Sequence, residues 1–289
     1  MNISRIDLDG VGSPTALVAR ILQLVPDLPI PVPIVTLCER LDIVGIEELH
    51  TEGFEAALLT DELRSSGTIL VAKGRSPQRR RFSIGHELGH FLIPTHLPPP
   101  GGLLQCSADQ LRMLDTKDQD KRRRMEAEAN SFAALLLMPL TILRKHLQRI
   151  RQPDISDIVR LAKLFDVSKE AMSRSYVDYS REAIAIVVVS KGRVLRYYRN
   201  ARHFPWIAIA PGMIVPADSV WHDRRLAPGE IGEIVEWEPD TWLDASSARK
   251  TVSMTEQLLG QDNGFSMFML VAEMRNDDDG SWSDTSRFR

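Results

Sequence analysis

The stretch His86-Glu87-Leu88-Gly89-His90 sets two imidazoles four residues apart, with a carboxylate directly after the first. On a helix, positions i and i+4 share one face about a turn apart, so His86 and His90 can hold one zinc ion at Zn–N distances near about 2.0–2.1 Å. Glu87 can then lean toward the open coordination position and act as general base toward the attacking water. Zinc lowers the pKa of a coordinated water to roughly 7, which makes a nucleophile at neutral pH. The chemistry these residues suit is hydrolysis, with peptide-bond cleavage as the leading reading.

A catalytic zinc needs a third protein ligand. The segment Met125 to Pro139, MEAEANSFAALLLMP, is a strong helix former with no internal breaker. Glu126 and Asn130 share one of its faces, which suits a ligand carboxylate and a group that orients a ligand histidine through a hydrogen bond. Glu128 lies on another face with Phe132 and Leu135 and is the competing ligand. The remaining candidates are weaker. The Cys106 thiolate can ligate zinc, but a small buried residue is the simpler reading. His96 and His146 lack the helical spacing, and His203 and His222 stand in no ligand pattern. Without a fourth Cys or His at suitable spacing, a closed structural site is disfavoured and an open catalytic position favoured. Amide cleavage also builds negative charge on the carbonyl oxygen, which calls for a donor besides the metal. Arg174, Tyr179 and His96 are of suitable type, and Tyr176 is the residue chosen.

Two helices must position this set. Arg81 to Ile93 reads as the first, with Phe82, Leu88, Phe91 and Leu92 packing, Ser83 contributing to its N-terminal cap and Pro94 ending it. Gly85 and Gly89 are poor helix formers, explained either as tolerated glycines or as room for close contact near the metal. Ser13-Pro14 begins a helix running to about Val25, and Ile34 to Leu41 suggests another. Short strands fit Ile43 to Ile46, Ala56 to Leu59 and Thr68 to Ala72. Residues 94–119 read as an irregular loop, a rim of the cleft or a plain connector. Further helices fit 121–137, 140–149, 155–165 and 168–179. From Ala183 the period changes to that of strands, with AIAIVVVS and RVLRYY joined at Lys191-Gly192.

The segments RRRFSIGHELGH and EAEANSFAALLLMP together resemble the ImmA/IrrE family of zinc metallopeptidases, most specifically over residues 79–139 and more loosely from about residue 15 to 180. Glu126, Ala129, Asn130, Phe132, Ala133, Leu136, Leu137, Met138 and Pro139 stand at the positions of that family's second motif. The resemblance implies His86, His90 and Glu126 as metal ligands and Glu87 as catalytic acid/base. It also implies a protein substrate, often a helix-turn-helix transcriptional repressor cut at one site to derepress genes of a mobile element or a stress response.

The expected fold is α+β: a zincin-like peptidase domain over 1–180, with a helical, helix-turn-helix-like subdomain at about 140–180. A smaller β-rich sensor or docking domain follows over 181–276, and the polar tail 277–289 is expected to be disordered. The helical subdomain could enter a DNA groove through Lys169, Ser173 and Arg174, but Glu170 and Asp178 oppose phosphate, so direct DNA binding is disfavoured. The basic runs Arg79–Arg81 and Lys121–Arg124 precede the two site helices and could make a positive cleft rim for an acidic segment. A formal net charge of −3 implies no general affinity for nucleic acid or acidic membranes. The start lacks the basic and apolar regions of a secretory signal, no apolar run is long enough to span a bilayer, and two cysteines form no disulfide framework. A cytoplasmic location without membrane association is expected. The alternative function is a non-proteolytic regulator that binds DNA or a repressor, such as a toxin–antitoxin component.

Overall fold

A computed structural model describes residues 1–50, 54–97, 103–106, 121–223 and 226–275. In chain order the elements are α1 (Pro14–Leu24), α2 (Ile34–Arg40), β1 (Ile43–Leu49), β2 (Ala56–Thr60), β3 (Gly67–Ala72), α3 (Pro77–Leu92), β4 (Leu103–Cys106), α4 (Lys121–Leu137), α5 (Leu140–Leu147), α6 (Ile155–Phe165), α7 (Lys169–Tyr179), β5 (Ala183–Ser190), β6 (Arg193–Arg199), α8 (Val220–Asp223), β7 (Val235–Trp237), α9 (Ala245–Arg249), β8 (Thr251–Gly260) and β9 (Phe265–Met274). The fold is α+β, helices preceding a β-rich C-terminal part. The Cys106 thiol, the tail 277–289 and residues 98–102 and 107–119 lie outside the described residues; within the stretch 94–119, expected to be irregular, Leu103–Cys106 forms strand β4 and pairs with β2.

The chain forms two compact units, one of Met1–His146 with Arg160–Ala171, the other of Leu147–Val159 with the chain from Met172 onward. Helices α6 and α7 each contribute to both units. The reason is local bonding: Ile155 N–H donates to the Gln257 side chain at 2.7 Å, and Ser173 Oγ meets Met267 Sδ at 3.4 Å.

In the first unit, four strands order as β1-β3-β2-β4, with β1 parallel to β3 and the other pairs antiparallel. The helix α3 begins earlier than its apolar pattern suggests. Ser76, not Ser83, is the N-cap: its Oγ accepts from Arg79 N–H at 3.3 Å, and Pro77 takes the first helical position. Ser83 is buried inside the helix. The three arginines therefore belong to the first turns of α3 instead of leading into it. Every residue from Ser83 to Leu92 is buried, so this half of the helix is enclosed on all sides. Its glycines meet α4. A Cβ on Gly85 would lie 3.4 Å from Ala133 Cβ, and one on Gly89 would lie 3.0 Å from Phe132 Cδ1 and 3.3 Å from Ala129 Cα.

The second unit centres on a five-stranded antiparallel sheet, ordered β6-β5-β9-β8-β7. Interior strand β5 is buried on both faces from Ile184 to Val189, which explains why its sequence is continuously apolar. The turn to β6 has two residues, Lys191 at φ +50° and Gly192 at φ +76°, the left-handed pair that matches strand twist in a tight hairpin. Trp242 is fully buried here, its ring 5.5 Å from that of Phe268. Trp206 is exposed, under the Arg199 guanidinium.

Candidate metal centre

Helices α3 and α4 bring three donors to one place. His86 Nε2 lies 3.0 Å from His90 Nε2 and 3.2 Å from Glu126 Oε2, and His90 Nε2 lies 3.7 Å from Glu126 Oε1. Among the described residues, these three form the group of His, Cys, Asp and Glu side chains close enough to hold a metal, and all three are buried. Two Zn–N bonds meeting at a tetrahedral angle would set their nitrogens about 3.3 Å apart, within the range of these three separations.

The hydrogen bonds behind the donors decide which nitrogens carry protons. His86 Nδ1 is 3.1 Å from Asn130 Oδ1, a carbonyl that can only accept, so Nδ1 donates. His90 Nδ1 is 3.0 Å from His96 Nδ1, and His96 Nε2 is 3.0 Å from Glu128 Oε2. The Glu128 carboxylate accepts from His96 Nε2–H, which leaves His96 Nδ1 as an acceptor and makes His90 Nδ1 the donor. Both Nε2 atoms are then bare lone pairs 3.0 Å apart beside a carboxylate, an arrangement that suits a cation among them and is repulsive otherwise.

The electrostatics agree. Burial pushes the His90 pKa below its usual value against the opposing pull of Glu126. Burial, then the charge of His90, lowers His96 to about 4. Neutral imidazoles are the ligand form. Burial alone would raise the Glu126 carboxyl; Nε2–H groups of His86 and His90 bonded to it outweigh that and hold it well below the usual carboxylate range, and with both Nε2 atoms unprotonated that role passes to a bound cation.

Glu87 follows His86 on α3 and is fully buried. Glu128, the competing ligand in the sequence reading, meets His96 instead, and His96 in turn meets His90. The His96 contact escaped sequence reasoning because His96 lies beyond the helix, after the Pro94–Thr95 turn, where no periodicity applies. That turn is itself held: Arg64 Nη1 donates to the carbonyls of Ile93 and His96, both at 3.0 Å. Tyr176 lies on α7 in the second unit, with its ring buried.

Two expected surfaces look different once folded. Each arginine of the first basic run has an acidic partner: Arg79 with Glu55 at 3.1 Å, Arg80 with Glu48 at 3.1 Å and Arg81 with Asp166 at 3.1 Å. Only the second run, Lys121–Arg124, is exposed throughout. Of the residues considered for DNA contact, Ser173 is fully buried, and Arg174 lies over the Tyr198 ring and donates to its hydroxyl at 3.0 Å. Among the described residues, no single helix is long and apolar enough to cross a membrane.

Residues 38–175 match the family model Peptidase_M78, IrrE N-terminal-like domain. None of the curated proteins matches the chain. Among solved structures, a Mycobacterium tuberculosis transcriptional regulator is similar, with a TM-score of 0.52 and 16% identity over 94% of this chain and 92% of that one. At that identity the likeness is one of fold.

Proposed function

We propose that this chain, whose residues 38–175 match the model of the IrrE N-terminal-like peptidase family, is a zinc-dependent endopeptidase that cuts a helix-turn-helix transcriptional repressor at a specific site. The observation that carries the reading is the convergence of His86 Nε2, His90 Nε2 and Glu126, with both nitrogens freed of protons by the bonds behind them. His86, His90 and Glu126 would hold the metal, and Asn130 would orient His86. The bound zinc would supply Lewis acidity toward the substrate carbonyl. Glu87 takes the proton from the attacking water and returns it to the leaving amine. The β-rich unit is assigned to sensing or docking, and the site of action to the cytoplasm.

The experiment is zinc content beside cleavage of a co-expressed repressor encoded next to this gene, for wild type, Glu87→Gln and Glu126→Ala. Wild type is expected to hold about one zinc per chain. Glu87→Gln should keep the metal and stop cleavage, and Glu126→Ala should lose the metal. Cleavage by Glu87→Gln at the wild-type rate would refute the catalytic assignment and leave a binding regulator in its place.

A further inference from the structure

Behind His90 stands a second buried histidine with no role in the three-donor set. His96 is fully buried, with its ring 4.9 Å from that of His90. It faces the nitrogen of His90 that is turned away from His86 and Glu126, and its own far nitrogen is taken by Glu128. It is therefore not a fourth ligand that would close the centre. A buried polar ring is costly unless both nitrogens are satisfied, and here each has one partner at 3.0 Å. The partners also have a sense: carboxylate, N–H, bare nitrogen, N–H, bare nitrogen, read from Glu128 through His96 to His90. Reversing it would leave bare His96 Nε2 against the carboxylate. Helix α4 thus presents Glu126 to the cluster and, two residues later, the anchor of this chain.

We propose that Glu128 and His96 are positioning residues for His90, a two-link hydrogen-bonded chain that fixes its tautomer and ring plane so that Nε2 is offered to the metal. The proposal rests on the metal-centre part of the reading above, not on the identity of the substrate. His96 holds His90 as Asn130 holds His86, but through a ring backed by a carboxylate. Such a partner makes the ligand nitrogen more basic than an amide carbonyl does, and partners of this kind typically contribute 10–100-fold to metal affinity.

The test uses the full-length protein as wild type, His96→Ala, Glu128→Gln and the double variant. Zinc affinity is read by competition with a chromophoric chelator. In cobalt-substituted protein, the exchangeable imidazole N–H signals are read by their paramagnetic NMR shifts. His96→Ala is expected to weaken zinc binding about 10–100-fold and to lose the His90 Nδ1–H signal to solvent exchange, while the His86 signal, held by Asn130, persists. Glu128→Gln is expected to weaken binding about tenfold alone and to add nothing in the His96→Ala background, because it acts only through His96. Glu128 is partly exposed, so its variant carries the test even where His96→Ala fails to fold. Unchanged affinity with both N–H signals retained in the single variants overturns the proposal. Fully additive losses in the double variant overturn it as well. A wild type that binds neither metal, or a Glu126→Ala variant that binds as wild type does, refutes the metal centre and the chain with it. A wild type that binds zinc but cuts no repressor refutes only the function.

Discussion

Gly89 offers a test of why the site helix carries poor helix formers. Replacing a helix-interior glycine with alanine should stabilise by about 0.8–1.0 kcal/mol through backbone entropy. At Gly89 the added Cβ would meet Phe132 Cδ1 at 3.0 Å, with Ala129 Cα and Phe132 Cβ both at 3.3 Å. Phe132 is fully buried and Ala129 Cα is backbone, so relief requires α4 to back away by a few tenths of an ångström. Overpacking of this kind costs about 1–3 kcal/mol. The net expectation for Gly89→Ala is a loss of about 1 kcal/mol, or roughly 2–4 °C in Tm. Ala129 lies one turn beyond Glu126, so the same displacement shifts the third donor. Zinc affinity should fall about tenfold, the low end of what disturbing ligand orientation costs. Gly85→Ala is the internal control. Its Cβ would sit at ordinary contact distances of 3.4 and 3.5 Å from Ala133, so it should raise Tm slightly and leave zinc binding alone. Calorimetry of the metal-free proteins and chelator competition measure both. If Gly89→Ala melts at or above wild type with unchanged affinity, the close approach of α3 and α4 does not constrain that position.

Two further outcomes follow from the electrostatics and hydrogen bonding. Glu256 on β8 is fully buried, and burial raises its carboxyl to about 7 against the opposing bonds from Ser219 Oγ at 2.5 Å and Val220 N–H at 3.4 Å. A raised carboxyl contributes stability that is complete below its unfolded value of 4.5 and is lost as pH rises through about 7. Between pH 5 and 8 the wild type should lose up to roughly 3 kcal/mol that Glu256→Gln does not lose. Denaturant titrations at the two pH values check this, and equal slopes for the two proteins would show that Glu256 does not titrate there. Arg64→Met keeps the apolar stem but removes both bonds to the carbonyls of Ile93 and His96. It should cost about 1–2 kcal/mol of stability by chemical denaturation, the value of charged bonds at a half-exposed group; an unchanged midpoint would mean that the turn after α3 holds itself.

The sequence by itself determined the parts of this protein whose physics is local. Helices α3 and α4 follow from apolar periodicity and the absence of breakers, and i, i+4 spacing alone puts His86 with His90 and Glu126 with Asn130 on common faces. The tight hairpin at Lys191-Gly192 and the both-faces burial of β5 are equally local, since turn chemistry and a continuous apolar run encode them. The start of α3 was legible in Ser76-Pro77, but three arginines without an apolar stripe conceal it, because capping and periodicity then point to different residues. What only the tertiary structure decided concerns groups brought together across the chain. Residues 126 and 128 are two positions apart on one helix, and it is the packing of α4 against α3 that sends one to the His86–His90 pair and the other to His96. Arg79, Arg80 and Arg81 read as a free positive run until β1, the residue before β2 and the α6–α7 turn supply Glu48, Glu55 and Asp166. Side-chain polarity is written residue by residue, whereas the partner that satisfies a buried or half-buried polar group is fixed only when the chain closes on itself, and that pairing sets the direction of every proton behind the metal centre.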